Sequence, residues 1–561
     1  MSMTVQPAST VNALADRFWE SILELSPTTA TQHGDDRYDD RLPDPGPVGQ
    51  AIARRLWEST RAETDSISSD ALSIEERITL DMIRVVCDLQ IEQDDQRVDR
   101  LKVVDQLEGP QQMLPQVAQF QKADTPERLE RFLARLRAYP AFVASNIELL
   151  QEGLASGLTA PRITAERTIA QLERMAAVPV EESVIVTSAH VASEADRDRV
   201  LTAVREAVYP ADAAFLAALR GSYLAATRPE PGLWSAPDGE RLYRTQIRAW
   251  TTLDLDPRDL HRTGVEQLEA IEAERRTIAR AEGFGDDTAA YRAHLGVDPS
   301  NLPRSREDLL ARAREDIQRA YAAIPAVVGR IPQSGCEVRA VEEYKEADAP
   351  FAYYYPPSTD RTRAGIYYVN TYDLPSRTFT RLATTTYHEA VPGHHFQIAL
   401  EMEHPDLPAF RRLGSRLVGG AYVEGWGLYS EQLADEIGLF RSPGERFGML
   451  DAMAWRAARL IVDTGIHALR WTREQGVAQM LAAGLSQTDA TIETNRYITW
   501  PGQALTYMVG QLEILRLRAE LARRDGTGFD LRAFHDALLG HGSLPLATLA
   551  RELPGWVAAP A

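Results

Sequence analysis

Residues 386–397 read Thr-Tyr-His-Glu-Ala-Val-Pro-Gly-His-His-Phe-Gln. A histidine followed directly by a glutamate begins the HExxH pattern, in which two imidazoles one helical turn apart hold zinc and the glutamate serves as base. Here Pro392 occupies the fourth position after His388, and histidines follow only at 394 and 395. Zinc holds imidazole nitrogens at about 2.0–2.1 Å, so two ligand side chains must converge. On an unbroken helix His394 is rotated about 120° short of two full turns from His388, and His395 lies about 10.5 Å along the axis. A regular helix fails for both. Pro392 offers no N–H to the carbonyl of His388, clashes with that carbonyl, and disfavours helical geometry at Val391, while Gly393 is free to take positive φ. If residues 392 and 393 loop out of the helix, the remainder reads as HExxH with His394 as second ligand, and His395 is left to meet substrate. If three residues are absorbed, His395 takes the ligand role instead.

A catalytic zinc takes three protein ligands and keeps one position open. GGAYVEGWGLYSEQLADEIG reads as a helix from about Val423 to Gly438, with Glu424 in its first turn and Trp426, Leu428 and Leu433 packing inward. A glutamate some 30 residues after the second histidine, on the next helix, is the arrangement of the zinc peptidases called gluzincins. A charge at a helix N-terminus, favoured by the dipole, is the competing explanation of Glu424. Glu389 then becomes the general base. RYITWPGQALTYMVGQ supplies candidates for an oxyanion donor or substrate contact in Arg496, Tyr497 and Tyr507. Asp463 and His467 share one helix face at i, i+4, so the carboxylate could orient the imidazole toward substrate or serve structure alone. Glu401 and His404 form a lone E-x-x-H and read as a solvated helix end before Pro405.

Most of the chain that must position these groups reads as helix. Residues 125–157 carry Leu129, Phe132, Leu133 and Leu136 at 3-4 spacing behind a Thr125-Pro126 start; residues 256–285 form a second long amphipathic helix; and 445–481 a third. Thr227–Gly239 holds three prolines and is the best boundary, dividing a helical region 1–227 from a helical region 228–561 within what reads as one continuous fold. EVRAVEEY and AGIYYVNTY read as two short strands around a turn region YYYPPSTDRTRAG. The 561 residues carry 61 basic and 81 acidic side chains for a net charge of −20, which disfavours nucleic acid and anionic membrane as partners. Cys87 and Cys336 form no CxxC and read as free thiols. No basic-then-apolar leader and no apolar run of spanning length is seen, so the expected location is the cytoplasm.

HEAVPGHHFQ, YVEGWGLYSE, VDTGIHALRWTREQ and RYITWPGQALTYMVGQ together resemble the bacterial domain-of-unknown-function 885 family, which is related to gluzincin metallopeptidases. The resemblance implies a mainly α, large multi-helix gluzincin-like fold, with a small β-element before the metal-binding helix and a deep central cleft. It implies Zn2+ as cofactor, Tyr507 as the oxyanion donor, and AGIYYVNT, with Tyr367 and Tyr368, as an edge strand that pairs with extended substrate. The expected activity is zinc-dependent hydrolysis of amide bonds in short peptides. A zinc amidase for a modified amino acid is the rival enzyme, and a helical binding protein that lost its chemistry the rival outside catalysis. Intact His388, Glu389 and Glu424 argue against the last.

Overall fold

The computed structural model describes residues 10–343, 346, 349–358, 363–414 and 417–557. They form a mainly helical fold. The first helices, α1 (Thr10–Leu25) and α2 (Ile74–Asp95), bury Val11, Leu14, Phe18, Ile83 and Val86. Helix α3 (Pro126–Ser156) starts where its sequence says: Thr125 is extended, its hydroxyl accepts from the N–H of Arg128, and Pro126 needs no partner at the first position. Helix α4 (Pro257–Ala281) is capped by Asp256 in the same way and is followed by Gly283 at φ 87°.

Hydrophobic side chains of residues 103–223 close on themselves in one core, whose upper edge falls near the boundary expected at 227. Residues 11–98, by contrast, share a single larger core with residues 233–557. The first two helices are thus built into the region that carries the histidines.

Helix α5 (Arg306–Ala323) leads into a three-stranded sheet of β1 (Cys336–Ala340), β2 (Ala352–Tyr355) and β3 (Gly365–Val369). The order is β1-β3-β2, with β3 parallel to β1 and antiparallel to β2. Two expectations change here. The tyrosines 353–355, read as part of a turn, form the strand β2, because Tyr353 and Tyr354 pair with Tyr368 and Tyr367. The Gly365–Val369 strand, expected at an edge, is the central one, with all five residues buried. Residues 359–362 of the expected turn, and Tyr344 at the end of the expected first strand, lie outside the described residues.

Beyond the sheet run α6 (Phe379–Glu389), α7 (His394–Glu403), α8 (Gly420–Glu436), α9 (Pro443–His467), α10 (Arg473–Ala482), α11 (Gln487–Thr499) and α12 (Thr506–Asp525). The single helix expected over 445–481 is two, α9 and α10, separated at Arg470, which adopts φ 62°. Helix α8 begins three residues before the expected start, buries Trp426, Leu428 and Leu433, and is followed by Gly438 at φ 73°. It lies against α12 with backbone touching backbone. A Cβ on Gly510 would stand 1.9 Å from the carbonyl oxygen of Ala421 and 2.7 Å from Cα of Gly425.

This crossing fixes where α12 carries Tyr507, about one turn before Gly510. Replacing Gly510 with alanine forces the helices apart and costs about 1–3 kcal/mol, as overpacking of a close interface does. The expected result is a lower denaturant midpoint with an unchanged m-value in equilibrium unfolding.

Candidate metal centre

Helix α6 ends at Glu389 because the chain turns sharply after it. Ala390 takes φ −106° and ψ −100°, the Val391–Pro392 peptide is cis, and Gly393 has φ −75° and ψ −134° before α7 begins at His394. The sequence reading expected a bulge inside one helix with Gly393 at positive φ. The chain instead breaks into two helices, and the glycine is required by closeness rather than by φ. A Cβ on Gly393 would sit 1.8 Å from the carbonyl oxygen of His388. Trp426 of α8 holds the break, its indole N–H donating to the carbonyls of Pro392 at 2.9 Å and Gly393 at 3.3 Å.

The break places His388, at the end of one helix, beside His394, at the start of the next. Their ring centroids are 4.6 Å apart at 84°. Glu424 reaches both from α8: its Oε2 lies 3.7 Å from Nε2 of His388 and 3.6 Å from Nε2 of His394. One ligand atom from each of the three residues falls within 4.8 Å of the others, the one such cluster of three or more among the described residues. Ligands about 2.1 Å from a tetrahedral ion stand about 3.4 Å apart, so the donor set fits zinc in kind and in spacing. Gly427, one turn after Glu424, leaves room for the rings. A Cβ there would lie 2.8–2.9 Å from atoms of both imidazoles.

Glu431, which the sequence reading missed, completes the group. Its Oε1 is 2.7 Å from Nδ1 of His388 and the side chain is fully buried. The spacing from Glu424 to Glu431 is seven residues, two turns on one helix face, and that was the available signal. The Nδ1–H···carboxylate bond leaves Nε2 of His388 directed to Glu424, as metal-ligating histidines are commonly set.

Charge dominates this space. Burial works against protonation of His388, but Glu424 and Glu431 outweigh it and raise its pKa to about 9. Burial also opposes the charge on Glu424, yet the two imidazoles hold its carboxyl well below the usual range. Glu389 is pushed upward, by burial first and then by Glu424, against the pull of His394 and His388. A raised carboxyl beside this cluster suits proton transfer near neutral pH.

The other candidates separate into those near the cluster and those away from it. Tyr507 is near: its ring lies 6.5 Å from that of His388. His395 points elsewhere, with Nε2 3.1 Å from the Tyr321 hydroxyl and Nδ1 3.0 Å from that of Tyr354, and burial lowers its pKa to about 4. It fastens α7 to α5 and β2. His467 receives the N–H of Leu233 at Nδ1 and contacts the carbonyl of Tyr497 at Nε2, so both nitrogens serve backbone. Asp463 does not orient it. The carboxylate accepts instead from the Tyr243 hydroxyl at 2.5 Å and from the N–H of Gly502. Arg456, which touches the cluster, precedes His467 by eleven residues, about 16 Å along α9. Tyr367 is fully buried against Thr386, and Tyr368 stacks on Tyr353, so neither presents an open strand edge. The buried Tyr497 donates its hydroxyl to Glu493. Arg496 donates to Gln503. Glu401, expected in solvent, is buried and accepts from Gln397 and Ser543. Among the described residues no helix is long and apolar enough to cross a membrane.

Two solved structures are similar to this chain over nearly its whole length. One is described as "the putative lipoprotein from Colwellia psychrerythraea", with 28% identity, 98% of each chain covered and a TM-score of 0.90. The other is "a putative lipoprotein of unknown function from Shewanella oneidensis", with 20% identity, 97% of this chain and 99% of that one covered, and a TM-score of 0.78; it shows the fold alone. No curated protein matches the sequence. The profile of the family described as "Bacterial protein of unknown function (DUF885)" matches residues 27–553, and the chain belongs to that family.

Proposed function

We propose that this protein is a zinc-dependent hydrolase of amide bonds, acting on short peptides, with His388, His394 and Glu424 as the metal ligands. The observation that carries the reading is that the break between α6 and α7 brings His388 and His394 together where Glu424 of α8 reaches both. Zinc bound there would supply a Lewis acid that polarises the scissile carbonyl and acidifies water. Glu389 takes a proton from the attacking water and passes it to the leaving nitrogen as the carbon–nitrogen bond breaks. The Tyr507 hydroxyl donates to the carbonyl oxygen as it gains charge. Glu431 keeps the Nδ1 proton on His388 and so fixes the tautomer that offers Nε2.

We read these residues as the ligands, base and donor of a gluzincin-like site, carried by α6, α7, α8 and α12. In place of the central β3, the strand suited to run beside an extended substrate is β2, which pairs with β3 on one side only in the described sheet.

Metal analysis of the purified protein is expected to give close to one zinc per chain. Activity that persists in a chelated, metal-free preparation would reject the reading. Glu389→Gln keeps fold and zinc but loses about 10²–10⁴-fold in kcat, as removal of a general base does; full activity in that variant removes Glu389 from the mechanism. Glu431→Gln leaves all three ligands in place and weakens zinc affinity about 10–100-fold in a competition titration with a chelator.

A further inference from the structure

Two arginines lie over the ring of Tyr507, and a third stands close behind them. The guanidinium carbon of Arg459 lies 4.1 Å from the centre of the Tyr507 ring and that of Arg456 5.8 Å, and Trp455 stacks on both at 4.6 and 4.7 Å. Arg496 joins them through Glu493, which it shares with Arg459 at 3.6 and 3.0 Å. Glu493 pairs with Arg459 and Arg496, Glu431 lies 3.8 Å from Arg456 and is already bonded to His388, and Glu389 and Glu108 act on Arg456 and Arg496 from beyond ion-pair distance.

The hydrogen bonds of this group are also incomplete. Arg459 has a 3% exposed side chain, uses Nε on the Tyr497 hydroxyl and Nη2 on Glu493, and leaves Nη1 buried without a partner. Nε of Arg456 and Nε of Arg496 are buried without partners as well. Cation–π stacking explains why the guanidinium planes lie on aromatic rings. It does not satisfy the three buried N–H donors, and donors left unpaired in this way are costly unless an acceptor arrives.

We propose that Arg456, Arg459 and Arg496 form a pocket for a carboxylate of the substrate, so that the site favours peptides and N-acyl amino acids whose free carboxylate lies one residue beyond the scissile amide. The proposal rests on the hydrolase reading and narrows its substrate class. A carboxylate matches the planar donor fork of arginine, and Arg459 and His388 both lie near the ring of Tyr507, 4.1 and 6.5 Å from its centre. The net charge of −20 would repel an anionic substrate at long range, and a local cluster of arginines reverses that sign where binding occurs.

Binding to the zinc-loaded Glu389→Gln protein reads the pocket without turnover. By calorimetry, N-benzoylglycine is expected to bind at least about thirty-fold more tightly than N-benzoylglycinamide, and adding Arg496→Gln, or in a separate protein Arg456→Gln, should cut that preference below about three-fold. Retained zinc and an unchanged thermal midpoint establish that each variant is folded, and either variant alone decides the question. Equal binding of acid and amide overturns the proposal. So does a preference that survives the arginine changes, which would assign the carboxylate to the metal instead. Wild-type hydrolysis of peptides without preference for the free acid keeps the hydrolase and removes the pocket. Selective binding of the acid with no hydrolysis by wild type does the reverse.

Discussion

Glu389, Glu424 and Glu431 bring three carboxylates to two imidazoles, with Glu431 fully buried and the other two half-buried. Like charges held this closely at low dielectric are costly, and the protein relieves the cost in part by keeping His388 protonated, with its pKa raised to about 9. A divalent cation relieves it further and without a proton. The rest of the centre can be traced to this demand. Helices α6 and α7 each give one imidazole, α8 gives two of the carboxylates, and none of the three could be moved by a turn without leaving a buried charge unmatched.

The backbone accepts unusual geometry to meet that demand. Ending α6 after Glu389 leaves carbonyls without helical partners, and Trp426 supplies one donor to the Pro392–Gly393 turn from the same helix that carries Glu424. The sequence Glu424-Gly425-Trp426-Gly427 therefore performs four tasks in one turn: a carboxylate facing both imidazoles, close contact with α12, anchor of the break, and space for the two rings.

Much of this was legible in residue types and spacing. Pro392 and Gly393 state that a helix cannot run through residue 392, and Glu424 lies where a third ligand is needed. The two chain directions after the break were not legible, because a bulge and a two-helix break satisfy the same proline; only tertiary contacts from Trp426 choose between them. The strand β2 was hidden by Pro356 and Pro357, which lend a turn signature to a segment whose tyrosines pair just before them. The central place of β3 had a signal that went unused: Gly-Ile-Tyr-Tyr-Val lacks the polar alternation of a strand with one face in solvent, and continuous apolar runs belong to strands covered on both sides. His467 misled because i, i+4 spacing allows a contact with Asp463 without requiring one. Both residues found backbone partners that are distant in sequence.

Two groups of opposite charge meet around Tyr507, with Arg456 3.8 Å from Glu431 where they join. The carboxylates of α6 and α8 call for a cation; the arginines of α9 and α11 call for an acceptor. Screening by solvent is weak at such burial, so each group acts on what lies near the ring. A substrate that spans the two would present its carbonyl to the acidic group and its carboxylate to the basic one, which fixes its direction as well as its identity. Tyr507 is carried by α12, and α12 is set by the Gly425–Gly510 contact with α8. The backbone crossing of two helices thus positions Tyr507 relative to both groups.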